Sequence, residues 1–222
     1  MATLTELVET IADVEGIEPS SVNLIARYVR EAGLIATGGR GPSAARMGLT
    51  DAANLLIAVN ATTTATDAAK TVSAYRKFES YEFLGRADPR PDKKYGTLGE
   101  AIEQLIDAVA TGDLPEIFLN RGVPFDLQEA FSRGDIHIAL RFRRSEPAAF
   151  MKIITILPPD VMTPAMAEEW VETLGGVRIS FSFYPPKQPP PRRKKKNRPA
   201  DRFEETTIGY QTLKSVGRLL RS

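Results

Sequence analysis

The sequence predicts an α+β fold, and three observations carry that prediction. Within the first sixty residues, apolar side chains recur at helical spacing in three runs separated by glycine-containing breaks. Between residues 135 and 183, two runs alternate apolar and other residues strictly, and a third lies between them as a short apolar block. From Pro185 to Pro199 the chain is dominated by proline, lysine and arginine, which neither helix nor sheet accommodates. The first part is therefore helical with a short hairpin. The middle is a small α/β domain with a sheet of at least three strands. The tail is a basic proline-rich linker followed by a docking segment.

The first helix is expected from about Leu4 to Val14, with Leu7, Val8 and Ile11 inward. Thr3 and Glu6 have capping-box spacing: the hydroxyl meets an orphan N–H and the carboxylate reaches back. Gly16 ends the helix because it tolerates positive φ. The second helix starts at Pro19 or Ser20 and stops at Gly33, with Val22, Ile25, Ala26 and Val29 as its apolar side. Leu34–Thr37 is expected as a short strand, Gly38–Ser43 as its turn, and Ala44–Leu49 as the returning strand. A third helix begins at Thr50-Asp51 and carries Ala53, Leu56, Ile57 and Val59 inward.

Residues 67–84 are expected to be helical, anchored by Tyr75, Phe78 and Phe83. A charged, proline-containing loop follows over Arg86–Tyr95. Thr97 and Glu100 form a second capping box for a helix running to about Ala110. Glu116–Asn120 reads as a short helical turn. Strands are expected over 135–143, 149–157 and 177–183, with a helix over 163–174 between the last two. Beyond the linker, Ile208, Leu213, Val216, Leu219 and Leu220 predict a final strand or helix that docks on the body or on a second copy. The organisation expected is residues 1–66, a helical unit with its hairpin; 67–184, an α/β domain for dimerisation or partner binding; 185–200, the linker; and 201–222, the docking segment.

Composition narrows the function. The chain has 222 residues with 42% hydrophobic content, enough to bury a core. No apolar run approaches the roughly 18 residues that cross a bilayer, and no signal-peptide pattern opens the chain, so a cytoplasmic protein with no membrane partner is expected. With no cysteine, disulfides and thiolate metal sites are excluded. One histidine, His137, cannot form a multi-histidine metal site within one chain, and no nucleophile-elbow motif accompanies it. No enzyme activity, cofactor, catalytic residue or metal ligand is expected. Residues 1–60 hold four arginines and seven carboxylates, a net of −3, whereas residues 185–222 carry a net of +8.

Helix, turn, helix, hairpin, helix within sixty residues is the order of a winged helix-turn-helix, which places its second helix in the major groove of double-stranded DNA. At 100° per residue, Ser20, Asn23, Arg27 and Arg30 share an arc of about 80°. Arginine can bond guanine with two hydrogen bonds, and asparagine can do the same to adenine. The candidate DNA contacts are Ser20 and Ser21 near phosphate, Asn23, Arg27 and Arg30 on the helix, Arg40 at the wing tip and Arg46 on its return strand. The competing reading is an ordinary solvated helix face. Gly38-Gly39-Arg40-Gly41 reads as a hairpin tip or as a plain flexible loop; it lacks the Gly-Lys-Ser/Thr of a phosphate-cradling loop. Arg192, Arg193, Lys194, Lys195, Lys196 and Arg198 form a basic arm for sequence-blind phosphate contact, for an acidic protein, or simply for solvation.

Three segments carry a resemblance: Gly16-Ile17-Glu18-Pro19-Ser20, Arg30-Glu31-Ala32-Gly33-Leu34-Ile35 and Thr50-Asp51-Ala52-Ala53. Over residues 4–60 the chain resembles winged helix-turn-helix regulators of the MerR type. As a whole, on the glycine-rich tip, the wing-then-helix order and the later α/β segment, it resembles uncharacterised DNA-binding proteins of bacterial prophages. The winged-helix resemblance implies DNA binding, and the function expected is that of a transcriptional regulator of phage or prophage type. It would act as a homo-oligomer with a dimer favoured, since one helix in one groove rarely suffices. The alternatives are a phage DNA-packaging or structural adaptor, and a protein-interaction module that never meets DNA.

Overall fold

The computed structural model describes residues 2–39, 44–82, 96–114, 127–133, 136–144, 148–155, 178–186 and 205–222. Helix α1 (Leu4–Glu15) opens on the predicted capping box. The Glu6 carboxylate accepts the Thr3 backbone N–H at 2.7 Å, the Thr3 hydroxyl oxygen accepts the Glu6 N–H at 3.4 Å, and Gly16 closes the helix at φ 64°. Helix α2 (Pro19–Glu31) has its proline in the first turn and is followed by Gly33 at φ 74°. Helix α3 (Leu49–Ala61) is buried along its length, from Ala52 to Ala61. A 3-10 turn at Ala65–Asp67 leads into α4 (Ala68–Tyr75). After strand β1 (Glu79–Glu82) comes α5 (Leu98–Thr111), capped by Thr97 and Glu100 as expected. Then follow α6 (Leu127–Arg133), β2 (Ile136–Arg143), β3 (Ala148–Thr155), β4 (Arg178–Tyr184), β5 (Glu205–Gly209) and α7 (Tyr210–Arg221). The helical turn expected at 116–120 and the helix at 163–174 lie outside the described residues.

The protein is thus α+β, with helices and a five-stranded antiparallel sheet in the order β1-β4-β3-β2-β5. The side-chain period of two decides which face is buried. Ile138, Leu140 and Phe142 of β2, Ala149 and Met151 of β3, Phe183 of β4 and Ile208 of β5 all point into the core. Register aligns them: Leu140 lies opposite Met151 on one side and Ile208 on the other. This face meets α3 and α7, with Tyr75 at the end of α4 against Phe142, and a continuous hydrophobic cluster runs from Leu7 to Val216.

Two expectations change here. The helix expected over 67–84 stops at Tyr75, and residues 79–82 form the edge strand β1 instead. Tyr75 turns into the core, where its hydroxyl donates to the Arg143 carbonyl at 2.7 Å and its ring lies 4.5 Å from that of Phe78. Burial pushes the Tyr75 phenol up to about 12, so it stays a donor. The chain then enters the sheet beside β4, a pairing that local periodicity does not encode. The final segment, expected as strand or helix, is both: β5 extends the sheet and α7 packs on α1 and α5 of the same chain.

The seat of α7 is tight. A Cβ on Gly217 would stand 2.7 Å from the Ile106 carbonyl oxygen and 2.9 Å from the Ala110 side chain, so only glycine lets α7 approach α5 this closely. At the other end of α7, the Thr212 hydroxyl donates to Glu15 of α1 at 2.7 Å. The backbone carbonyl of buried Asn60 accepts Thr206 Oγ1 at 2.6 Å and Arg144 Nε at 3.0 Å. Desolvation raises the Glu15 carboxyl pKa, while hydrogen bonds from Thr212 and Asn60 partly oppose that rise.

Two outcomes follow from this packing. Gly217→Ala adds helix propensity of about 1 kcal/mol at an unconstrained site, yet here overpacking costs roughly 1–3 kcal/mol and should win. The melting temperature should fall by several degrees in a thermal denaturation; a rise would show that α5 and α7 do not sit this close. Because the Glu15 pKa is raised in the folded state, its stabilising contribution is complete below the ordinary carboxyl range and is lost as pH rises through the folded value. Glu15→Gln should therefore melt higher than the parent at pH 7 and lose less stability between pH 4 and 7. Superimposable pH profiles would refute the burial of this carboxylate.

Candidate nucleic-acid interface

Helix α2 divides into two faces. Val22, Ala26 and Val29 are completely buried against the neighbouring helices, because spacings of three and four residues return to the same side. Helices α1, α3 and α4 flank it on that side. Opposite them, Ser20, Ser21, Asn23, Leu24, Arg27, Arg30 and Glu31 are all exposed. Four of the expected contacts, Ser20, Asn23, Arg27 and Arg30, therefore share one open arc of the helix, and the exposed Ser21 lies about 100° round from Ser20 in the first turn. The first turn carries no acidic residue, and Arg30 lies in the last.

Glu31 was not anticipated at this surface. Its Oε1 accepts a hydrogen bond from Arg27 Nε at 2.7 Å, and that bond and charge hold the Arg27 guanidinium more firmly protonated. The pair is solvated on both sides, so it contributes little to stability. It does set the resting direction of Arg27 along the helix, toward its C-terminal end.

Residues 34–39 and 44–48 form no strands, in contrast to the expected hairpin. The chain does double back: a Cβ on Gly38 would come within 2.4 Å of the Ala45 nitrogen. What is missing is the ladder, and the destinations of the backbone donors explain why. The Ala36 N–H is taken by Asp51 Oδ1 at 2.8 Å, and the Met47 N–H by the Ala2 carbonyl at 2.8 Å. Asp51 Oδ2 also accepts the Gly48 N–H at 2.8 Å, so one carboxylate at the start of α3 holds both legs of the loop. Beneath the outgoing leg, Asn54 donates to the Leu34 carbonyl and accepts from Arg76 Nη1 at 2.7 Å, while Arg76 Nη2 reaches Glu103 at 2.7 Å. The Arg76 guanidinium fits because residue 99 is glycine; a Cβ there would lie 2.9 Å from its Cζ.

The remaining expected contacts fall elsewhere. Arg46 is exposed on the returning leg, beside the first turn of α1. There the Thr3 backbone N–H and hydroxyl lower the Glu6 carboxyl pKa, and the Arg46 charge adds a smaller push in the same direction. Arg40 and the arm residues Arg192, Arg193, Lys194, Lys195, Lys196 and Arg198 lie outside the described residues. Leu24 was missed, although helical spacing sets it roughly 140–160° from the apolar face and so announces its exposure. Asp51, Asn54 and Arg76 were missed as supports because their partners are distant in sequence.

Among the described residues, no three His, Asp or Glu side chains gather as metal ligands would. Nor is any described helix long and apolar enough to cross a membrane. No protein-family profile matches the chain, and comparison with curated proteins and with solved structures returns no significant match.

The double role of Asp51 is open to test. Asp51→Ala leaves two backbone donors without their carboxylate and should cost about 1–2 kcal/mol, the range of a lost helix cap. Amide exchange should accelerate at Ala36 and Gly48 while α5 keeps its protection. Uniform acceleration, or none, would mean that this carboxylate does not hold the loop.

Proposed function

We propose that this protein binds double-stranded DNA through the exposed face of α2, and that it does so as a regulator of phage or prophage type. The observation that supports this most directly is the concentration of Ser20, Asn23, Arg27 and Arg30 on the open side of a helix whose other side is fully buried. A helix held rigidly by its apolar face can offer its polar face to the major groove with little further loss of side-chain and backbone freedom. Arg27 and Arg30 supply hydrogen-bond forks for guanine or phosphate, Asn23 has the donor–acceptor pair that matches adenine, and the serines stand where the helix N-terminus favours phosphate. The loop held by Asp51 takes the place of the wing, with Arg40 and Arg46 on it. The basic arm at 192–198 adds a sequence-blind phosphate contact, and a homodimer would set two copies of α2 about one duplex turn apart.

A binding titration over a range of salt concentrations tests this. Arg27→Ala with Arg30→Ala should weaken binding at least about tenfold, a loss comparable with one or two direct contacts. Glu31→Gln should strengthen it, because a negative charge leaves the phosphate-facing surface and Arg27 is released. Removal of residues 187–199 should weaken binding by a similar factor on unrelated duplexes and flatten the salt dependence. Absence of any salt-sensitive binding would overturn the reading; affinity unchanged by the double arginine substitution would remove α2 as the contacting element.

A further inference from the structure

We infer that Leu24 is a specificity-determining residue: its side chain packs on the C5-methyl group of a thymine in the major groove. The inference rests on the reading of α2 as the DNA-contacting helix and extends it to the class of base read. Leu24 is 47% exposed, and among the described residues it stands alone as an exposed large hydrophobic side chain. It cannot rotate into the core, because Val22, Ala26 and Val29 fill the opposite side of the helix and are already completely buried. Helical spacing places it beside Ser20, Arg27 and Glu31, within roughly 60° of each. Its immediate setting is therefore polar and charged: Asn23 precedes it, and the Arg27–Glu31 ion pair lies one to two turns on.

A surface of this make-up matches one feature of duplex DNA. The major groove is lined by hydrogen-bonding edges and phosphates, and its one apolar projection is the thymine methyl. The arginines complement the phosphates and the guanine edge, asparagine complements adenine, and leucine complements the methyl group. Leu24 also lies in the N-terminal half of α2, the part of a groove-bound helix that comes closest to the bases. Adjacent Asn23 and Leu24 would together favour A·T pairs at neighbouring positions.

The test uses the full-length protein and a duplex selected by it from a random pool. Each thymine is then replaced in turn by deoxyuridine, which pairs identically and lacks only the methyl group. Affinity should drop about three- to tenfold at one thymine of each half-site, the scale expected for burial of a single methyl group. Leu24→Ala should lose a similar factor on the parent duplex and become indifferent to the deoxyuridine substitution. Its melting temperature should not change, since the side chain is outside the core. Indifference of the parent protein to every deoxyuridine, with the double arginine variant still defective, would overturn the role of Leu24 and leave DNA binding by α2 standing. No DNA binding by the parent protein would overturn both. A change of solution mass in Leu24→Ala, with thymine discrimination retained, would identify Leu24 as a contact between copies of the chain and overturn the inference.

Discussion

Helix α3 is buried around its whole circumference from Ala52 to Ala61, and that constraint organises the rest of the molecule. A helix with an exposed side needs covering on one face only; this one needs neighbours on every side. They come from all parts of the chain: α2 and α4 near it in sequence, α5 farther on, and β2, β5 and α7 from beyond residue 135. Small residues make such enclosure possible, since Ala52, Ala53, Ala58 and Ala61 let neighbouring backbones approach. The two polar side chains inside, Asn54 and Asn60, are hydrogen-bonded, as burial demands. They are also where α3 does more than fill space. Asn54 ties the loop after α2 to Arg76, the residue that follows α4, and the carbonyl of Asn60 gathers Thr206 of β5 and Arg144, the residue that follows β2.

The candidate interface inherits its rigidity from this arrangement. Helix α2 has no side-chain cap, and its exposed face contains one ion pair that contributes little. Its placement comes instead from Val22, Ala26 and Val29, which are buried between α1, α3 and α4, and from the Asp51 carboxylate that holds both legs of the following loop. The polar face is consequently free of structural duties. Asn23, Arg27, Arg30 and Leu24 can be exchanged without touching the core, which is the condition under which a surface can be tuned for a partner.

What could be read from the sequence was what is decided locally. Both capping boxes, Thr3 with Glu6 and Thr97 with Glu100, stand where their spacing placed them, and the alternation over 136–143 announced β2. The division of α2 into two faces was legible in the same way, and with it the shared arc of Ser20, Asn23, Arg27 and Arg30. The misreadings share a cause: each was settled by a partner far along the chain. Residues 79–82 become a strand because β4 lies beside them, and residues 34–37 fail to become one because a side chain on the next helix takes the Ala36 donor. Gly209 separates β5 from α7 at a point where composition allowed either. Leu24 is the different case. Its position off the apolar stripe was visible in the spacing, but its significance depends on how few other large apolar side chains the described surface leaves exposed.

The contact of α7 with α1 has a consequence for how the chain reaches its native state. Residues 210–221 are synthesised well after residues 4–15, and they cover the helix that those residues form. Contacts of such long sequence separation carry a high loop-closure cost and form late. Until α7 arrives, part of α1 and the underside of α3 present apolar surface to solvent, a state prone to association. The emerging chain is therefore held open until residues 210–221 are made, and α1 and α3, which flank the helix bearing the candidate interface, gain their full cover only then.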